Sequence, residues 1–114
     1  MSHWVKLCSA PAAPAEGNVM ELEVEGTGIC LARMHGKLSA LDNVCPHRGG
    51  PLGGGWTEGN AVVCPWHSWV FSLETGIAEP PERAQVRVFE VKVEGDNVLI
   101  DMEPLDVEPL DIAP

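Results

Sequence analysis

Apolar and polar positions along this chain alternate with a period of two in short stretches, and no helical period of useful length appears. Val19-Met-Glu-Leu-Glu-Val-Glu25 sets apolar against acidic residues, which predicts a strand with one buried face. Gly26-Thr-Gly28 is expected to turn that strand into Ile29–Met34, and His35-Gly36 predicts a tight hairpin into Lys37–Asn43. Val5–Cys8 reads as a first strand, followed by the Ala/Pro-rich loop Ser9–Gly17. Ala61–Val63 and Trp69–Leu73 read as two more, and Val86–Val93 with Val98–Met102 predict a last hairpin through Glu94-Gly-Asp-Asn97. The pattern predicts an all-β fold of about eight to ten short antiparallel strands, a small barrel or sandwich. The end of the chain departs from it. Glu103-Pro-Leu-Asp-Val107 repeats at once as Glu108-Pro-Leu-Asp-Ile112, and its prolines suit an extended arm over 103–114.

Length and charge narrow the classes. A chain of 114 residues makes one domain with a modest core. Twelve Gly and ten Pro at this length fit a loop-rich β fold. The net charge of −10 argues against nucleic acid and anionic membrane surfaces as partners. Asp101, Glu103, Asp106, Glu108 and Asp111 load much of it onto the last residues, and the stretch from Lys37 to Phe71 is neutral. No apolar run approaches the ~18 residues of a membrane span, and Met1-Ser-His-Trp-Val-Lys6 has no apolar signal core. A soluble cytoplasmic protein is expected, with no membrane association.

Four cysteines are present: Cys8, Cys30, Cys45 and Cys64. Cys8 and Cys30 sit in apolar strand contexts, where an unpaired Cys acts as a small core hydrophobe; a disulfide between them is the alternative. The other two open a pattern: Cys45-Pro-His47, sixteen residues, then Cys64-Pro-Trp66-His67. Each half is a Cys and a His in one turn, placed after a strand ending near Val44 or Val63. Pro46 and Pro65 stiffen those turns. Gly49, Gly50, Gly53, Gly54 and Gly55 predict tight bends in the first loop, with backbone N–H groups free to approach a metal-bound sulfur. Structural zinc is the competing reading, although zinc sites of this composition pair Cys with Cys and His with His. One Cys and one His from each loop match a [2Fe–2S] centre in which two histidines replace two cysteines on one iron.

Leu41-Asp-Asn-Val-Cys-Pro-His-Arg-Gly-Gly-Pro-Leu52, with Cys64-Pro-Trp-His-Ser-Trp-Val-Phe-Ser-Leu-Glu-Thr-Gly76, resembles the cluster-binding segment of soluble Rieske ferredoxins. It is also similar to the Rieske domains of ring-hydroxylating oxygenases. The resemblance implies a Rieske domain over 1–102, with a two-loop cluster subdomain at about 43–72. It implies one [2Fe–2S] cluster, with Cys45 and Cys64 on the inner iron and His47 and His67 on the outer iron. Glu79-Pro-Pro-Glu82 becomes the third loop covering it. In the quinol-oxidising branch two further cysteines clamp the loops; those positions here are Gly50 and Trp66. That branch also donates Ser and Tyr hydroxyls to the cluster sulfurs, and here Trp69 and Phe71 stand there. Without those donors the potential is expected near the low end of the Rieske range, about −150 mV.

The implied function is a one-electron carrier between a reductase and a terminal oxygenase, with Arg48, Pro51, Trp66 and Trp69 as candidates for the docking rim. The alternatives are the small Rieske subunit of a multisubunit enzyme such as an assimilatory nitrite reductase, docked on a large subunit, and a redox sensor. No catalytic residues are expected. Beyond the motif only His3 and His35 remain, too few for the mononuclear iron site of an oxygenase.

Overall fold

A computed structural model describes residues 2–45, 49–66, 68–80 and 84–105. Among them ten strands occur: β1 (Trp4–Ser9), β2 (Val19–Val24), β3 (Thr27–Met34), β4 (Lys37–Asp42) and β5 (Trp56–Glu58), then β6 (Ala61–Val63), β7 (Val70–Ser72), β8 (Val88–Phe89), β9 (Val91–Glu94) and β10 (Asn97–Asp101). Two 3-10 turns, Ala10–Ala12 and Leu52–Gly54, are the only helical pieces among the described residues. The strands form three antiparallel sheets in the orders β1-β10-β9, β2-β3-β4-β8 and β5-β6-β7. The all-β expectation holds.

The centre of the middle sheet is buried on both faces, and its residues alternate between two cores. Ile29, Leu31, Ala40 and Phe89 pack with Ile100 on one side. Cys30, Ala32, Leu41 and Val88 pack on the other with Leu52, Val62, Phe71 and both motif cysteines. The period of two thus sends each strand's odd and even residues to different partners. Each fully buried Val, Leu, Ile or Phe side chain among them contributes roughly 1.5–3 kcal/mol. The second core joins the sheet to β5-β6-β7, where the motif lies.

Three expectations about the strands need correction. The first hairpin turns at Glu25-Gly26 (φ 51° and 78°), not Gly26–Gly28. A type I′ two-residue hairpin needs positive φ at both central positions, and Thr27 already pairs with Val24. The second hairpin turns at His35-Gly36 as expected. The run Val86–Val93 is two strands in different sheets. Val88 and Phe89 pair with Leu41 and Ala40, whereas β9 pairs with β10. Glu90 is the corner between them, its carbonyl accepting Asp101 N–H at 2.9 Å. Finally, β5 is a three-residue strand between Gly55 and Gly59, too short a run to have been expected from the sequence.

Cys8 and Cys30 are free thiols, not a disulfide. Burial pushes the Cys30 thiol up to about 12. No helix among the described residues is long and apolar enough to cross a membrane. After β10, Leu105 N–H bonds to Val88 O at 2.7 Å. The second tail repeat, 108–112, lies outside the described residues.

Candidate metal centre

Both motif cysteines begin a loop that closes on itself in the same way. Cys45 N–H donates to Gly50 O and Cys64 N–H donates to Trp69 O, each at 2.8 Å. Each bond joins a Cys to the residue five positions on, so each Cys sits at a tied neck with its motif His between the two in sequence. The second loop is the β6–β7 connection, its base set by the Val63–Val70 pair. The first follows β4, and a Val44–Pro51 bridge narrows it. Gly49 N–H returns to Cys45 O at 2.7 Å.

The two loops bring their sulfurs together. Cys45 and Cys64 are buried, at 1% and 0% exposure. They share the second core, and their thiols are in hydrogen-bond contact. Burial raises the Cys64 thiol above its ordinary pKa; the hydrogen bond from Trp66 N–H opposes this, and the Cys45 thiol adds to the rise. That N–H lies 3.4 Å from Cys64 Sγ. Paired, buried, unbridged thiols are poor nucleophiles and well suited to a metal, which supplies the charge that deprotonates them. The donor set therefore fits an iron–sulfur group on its cysteine side.

Gly50 faces the same place. A Cβ there would lie 2.9 Å from Cys64 Sγ and 2.9 Å from Trp66 Cγ. Gly50 and Trp66 thus meet across the two loops, and the indole packs where a side chain at 50 would stand. Trp69 packs against the core, its ring centroid 6.4 Å from that of Phe71. Val44 (58% exposed) and Trp66 (48%) flank the cysteines and present apolar surface. His47 and His67 lie outside the described residues, as do Arg48 and, from the third loop, Pro81 and Glu82. Among the described residues no third His, Cys, Asp or Glu completes a metal-binding group.

One expectation about the first loop fails at four of its five glycines. The N–H groups of Gly49, Gly53, Gly54 and Gly55 are bonded to Cys45 O, Asn43 Oδ1, Pro51 O and Leu52 O, so they are not free for sulfur. Two residues also escaped the motif reading, Asn43 and Glu21, which are hydrogen-bonded to each other and reach this loop. The Asp-Asn step before the motif was the available signal for Asn43, because Asn caps loops through its side chain. Glu21, distant in sequence, had none.

The chain is similar to known proteins in sequence and in fold. The ferredoxin component of the naphthalene 1,2-dioxygenase system of Pseudomonas aeruginosa is 33% identical over 100 residues, which is 87% of this chain and 95% of that protein. A ferredoxin of Sphingomonas yanoikuyae B1 superposes with a TM-score of 0.78 at 25% identity, covering 87% of this chain and 98% of that one. A chain from the complex of reduced oxygenase and oxidized ferredoxin in carbazole 1,9a-dioxygenase gives 0.79 at 26% identity, covering 92% and 97%. Residues 3–90 match the Rieske [2Fe-2S] domain model. The chain therefore belongs to the Rieske [2Fe-2S] domain family, whose cofactor is one cluster with two Cys and two His ligands.

Proposed function

We propose that this chain is a one-electron carrier that takes electrons from a reductase and passes them to a terminal oxygenase of the ring-hydroxylating type. Cys45, His47, Cys64 and His67 hold the cluster, which when bound accepts and releases single electrons. The observation that carries this reading is the meeting of two buried thiols from two loops with the same closure. Cys45 and Cys64 supply the thiolates, and the apolar core of Leu52, Val62 and Phe71 keeps water from their inner side. Val44 and Trp66 give the approaching partner an apolar rim beside the loops. No substrate is transformed on this chain; chemistry belongs to the oxygenase.

We assign residues 1–102 to the carrier domain, 43–72 to its cluster segment and 103–114 to an acidic tail. The carrier works in the cytoplasm, a reading supported by Cys8 and Cys30 as free thiols.

The test is a redox titration of the purified protein with electron paramagnetic resonance of the reduced form. A Rieske-type signal near about −150 mV is expected, together with turnover on mixing with a reductase and an oxygenase. A silent, zinc-containing sample would remove the electron-transfer role. Constant copurification with a large catalytic subunit would replace a carrier by a fixed relay.

A further inference from the structure

One residue gathers several ties of the first loop. Asn43, just past the end of β4, makes four hydrogen bonds. Its N–H reaches Gly28 O at 3.0 Å and its carbonyl accepts Leu52 N–H at 2.7 Å. Its side-chain oxygen accepts Gly53 N–H at 2.7 Å, and its side-chain nitrogen donates to Glu21 Oε1 at 2.9 Å. The orientation of the amide is dictated by its partners, since a backbone N–H only donates and a carboxylate only accepts. One side chain thus joins the outgoing leg of the loop, its returning leg and β2. The fit is close: a Cβ on Gly53 would stand 2.6 Å from Glu21 Cγ and 2.9 Å from Asn43 Oδ1.

Among the described residues the other bonds of this loop, Cys45 to Gly50, Gly49 to Cys45, Gly54 to Pro51 and Gly55 to Leu52, are internal to it. They keep its shape but tie it to no neighbouring element. Leu52 anchors it by burial, but a single apolar side chain does not fix an orientation. Cys64 is held by a different sheet, β5-β6-β7. The placing of Cys45 against Cys64 therefore draws on what ties the first loop to β2, beside the packing of Gly50 on Trp66.

We propose that Asn43 and Glu21 form a latch that orients the Cys45 loop and thereby sets the environment of the metal centre. Both are positioning residues acting through Cys45, and the proposal rests on the reading of Cys45 as a cluster ligand. The latch needs one donor and one acceptor, not these two residue types in these places. In Asn43→Asp the bond to Gly53 survives, while two carboxylates face each other. In the double variant Asn43→Asp/Glu21→Gln, donor and acceptor are exchanged at unchanged net charge.

The experiment compares wild type, N43A, N43D and N43D/E21Q as cluster-loaded proteins, by amide hydrogen exchange, electron paramagnetic resonance and the half-life of the visible absorption. N43A and N43D are expected to shorten the half-life about tenfold, the scale of one lost hydrogen bond to a charged group, and to broaden the resonance lines. In N43A the Gly53 amide also exchanges faster, while that of Leu31 in the centre of β3 does not. The double variant regains the wild-type half-life and linewidth. Unchanged Gly53 exchange in N43A overturns the latch. Faster exchange with an unaltered spectrum and half-life overturns its action on the centre, and so does failure of the double variant to recover. A wild type that holds no Rieske cluster defeats the ligand reading, and Gly53 exchange then still reports on the latch alone. Should N43A not fold, Glu21→Ala on the exposed side of the pair carries the same comparison.

Discussion

Asp42 and Arg87 hold each other at both backbone and side chain. The guanidinium Nη2 lies 2.8 Å from Asp42 Oδ1 and Nε lies 3.1 Å from Oδ2. Arg87 N–H donates to the same carboxylate at 2.7 Å, and Asp42 N–H donates back to Arg87 O at 3.1 Å. The guanidinium also lies over the Phe89 ring, 5.4 Å from its centroid. A forked pair is stronger than a single surface contact, although half-exposed Arg87 moderates it. Arg87→Lys keeps the charge and loses the fork. It should lower stability by about 1 kcal/mol in urea unfolding, with the visible spectrum retained. A spectrum lost before unfolding would mean that the pair supports the centre directly.

Gly50 and Gly49 are neighbours with opposite prospects. Gly50→Ala places a methyl group against Cys64 Sγ and the Trp66 ring, so iron content and visible absorbance should fall sharply. At Gly49 an added Cβ meets nothing within 4 Å, and only the φ of +77° resists it. Gly49→Ala should cost about 1–2 kcal/mol of backbone strain and leave iron content intact. Iron analysis of the two variants separates crowding from strain, and equal loss in both would defeat the distinction.

Ser68 has φ +57°, a left-handed conformation beside the second motif histidine, and it is exposed. Ser68→Gly should stabilise the fold by up to about 1 kcal/mol, the strain relieved less the entropy glycine adds to the unfolded chain. Ser68→Val should destabilise it. Urea midpoints decide. A less stable glycine variant would show that the hydroxyl contributes more than the backbone strain costs.

Trp69 and Phe71 bring no hydroxyl to the region of the cysteines. Phe71→Tyr, in the core shared with Cys45 and Cys64, should raise the reduction potential by some tens of millivolts if its hydroxyl reaches sulfur, about the worth of one hydrogen bond. Trp69→Ser should act in the same direction. A fall in both variants would exclude the missing donors as the cause of a low potential.

Acid should act through two hydrogen-bonded carboxylates. His3 N–H and Glu103 N–H hold the Asp101 carboxyl below its ordinary range, and Gly36 and His35 N–H do the same for Glu16. A depressed folded pKa gives stability that is fully present above the unfolded value, about 3.9 for Asp and 4.3 for Glu. It is lost as pH falls through the lower folded value. Acid unfolding should thus set in below about pH 4. Asp101→Asn should be less stable at neutral pH and lose less stability on acidification. A slope matching wild type in urea titrations at several pH values would show that Asp101 carries none of the effect.

Much of this was legible in the chain because the β strands and the ligand pattern are local signals. The alternation in Val19–Val24 and the paired Cys/His turns needed no knowledge of neighbours. The corrections all concern relations between segments. Val86–Val93 reads as one strand, and only the competing claims of β4 and β10 break it at Glu90. Trp56 and Thr57 favour strands, but a run this short beside three glycines does not announce one, and β5 is fixed by its pairing with β6. The loop glycines suggested open amides, but nearby carbonyls and the Asn43 side chain claim four of them.

The double-sided middle sheet bears on attempts to miniaturise this protein. A peptide cut to residues 43–72 keeps both cysteines and both necks, yet it leaves behind Cys30, Ala32, Leu41 and Val88, which form the wall that the loops pack against. Those four residues cannot be transplanted by themselves, because Ile29, Leu31, Ala40 and Phe89 alternate with them along the same strands and require their own cover from β10. A synthetic mimic of the centre must therefore carry nearly the whole β scaffold, or replace its shared wall with an unrelated one.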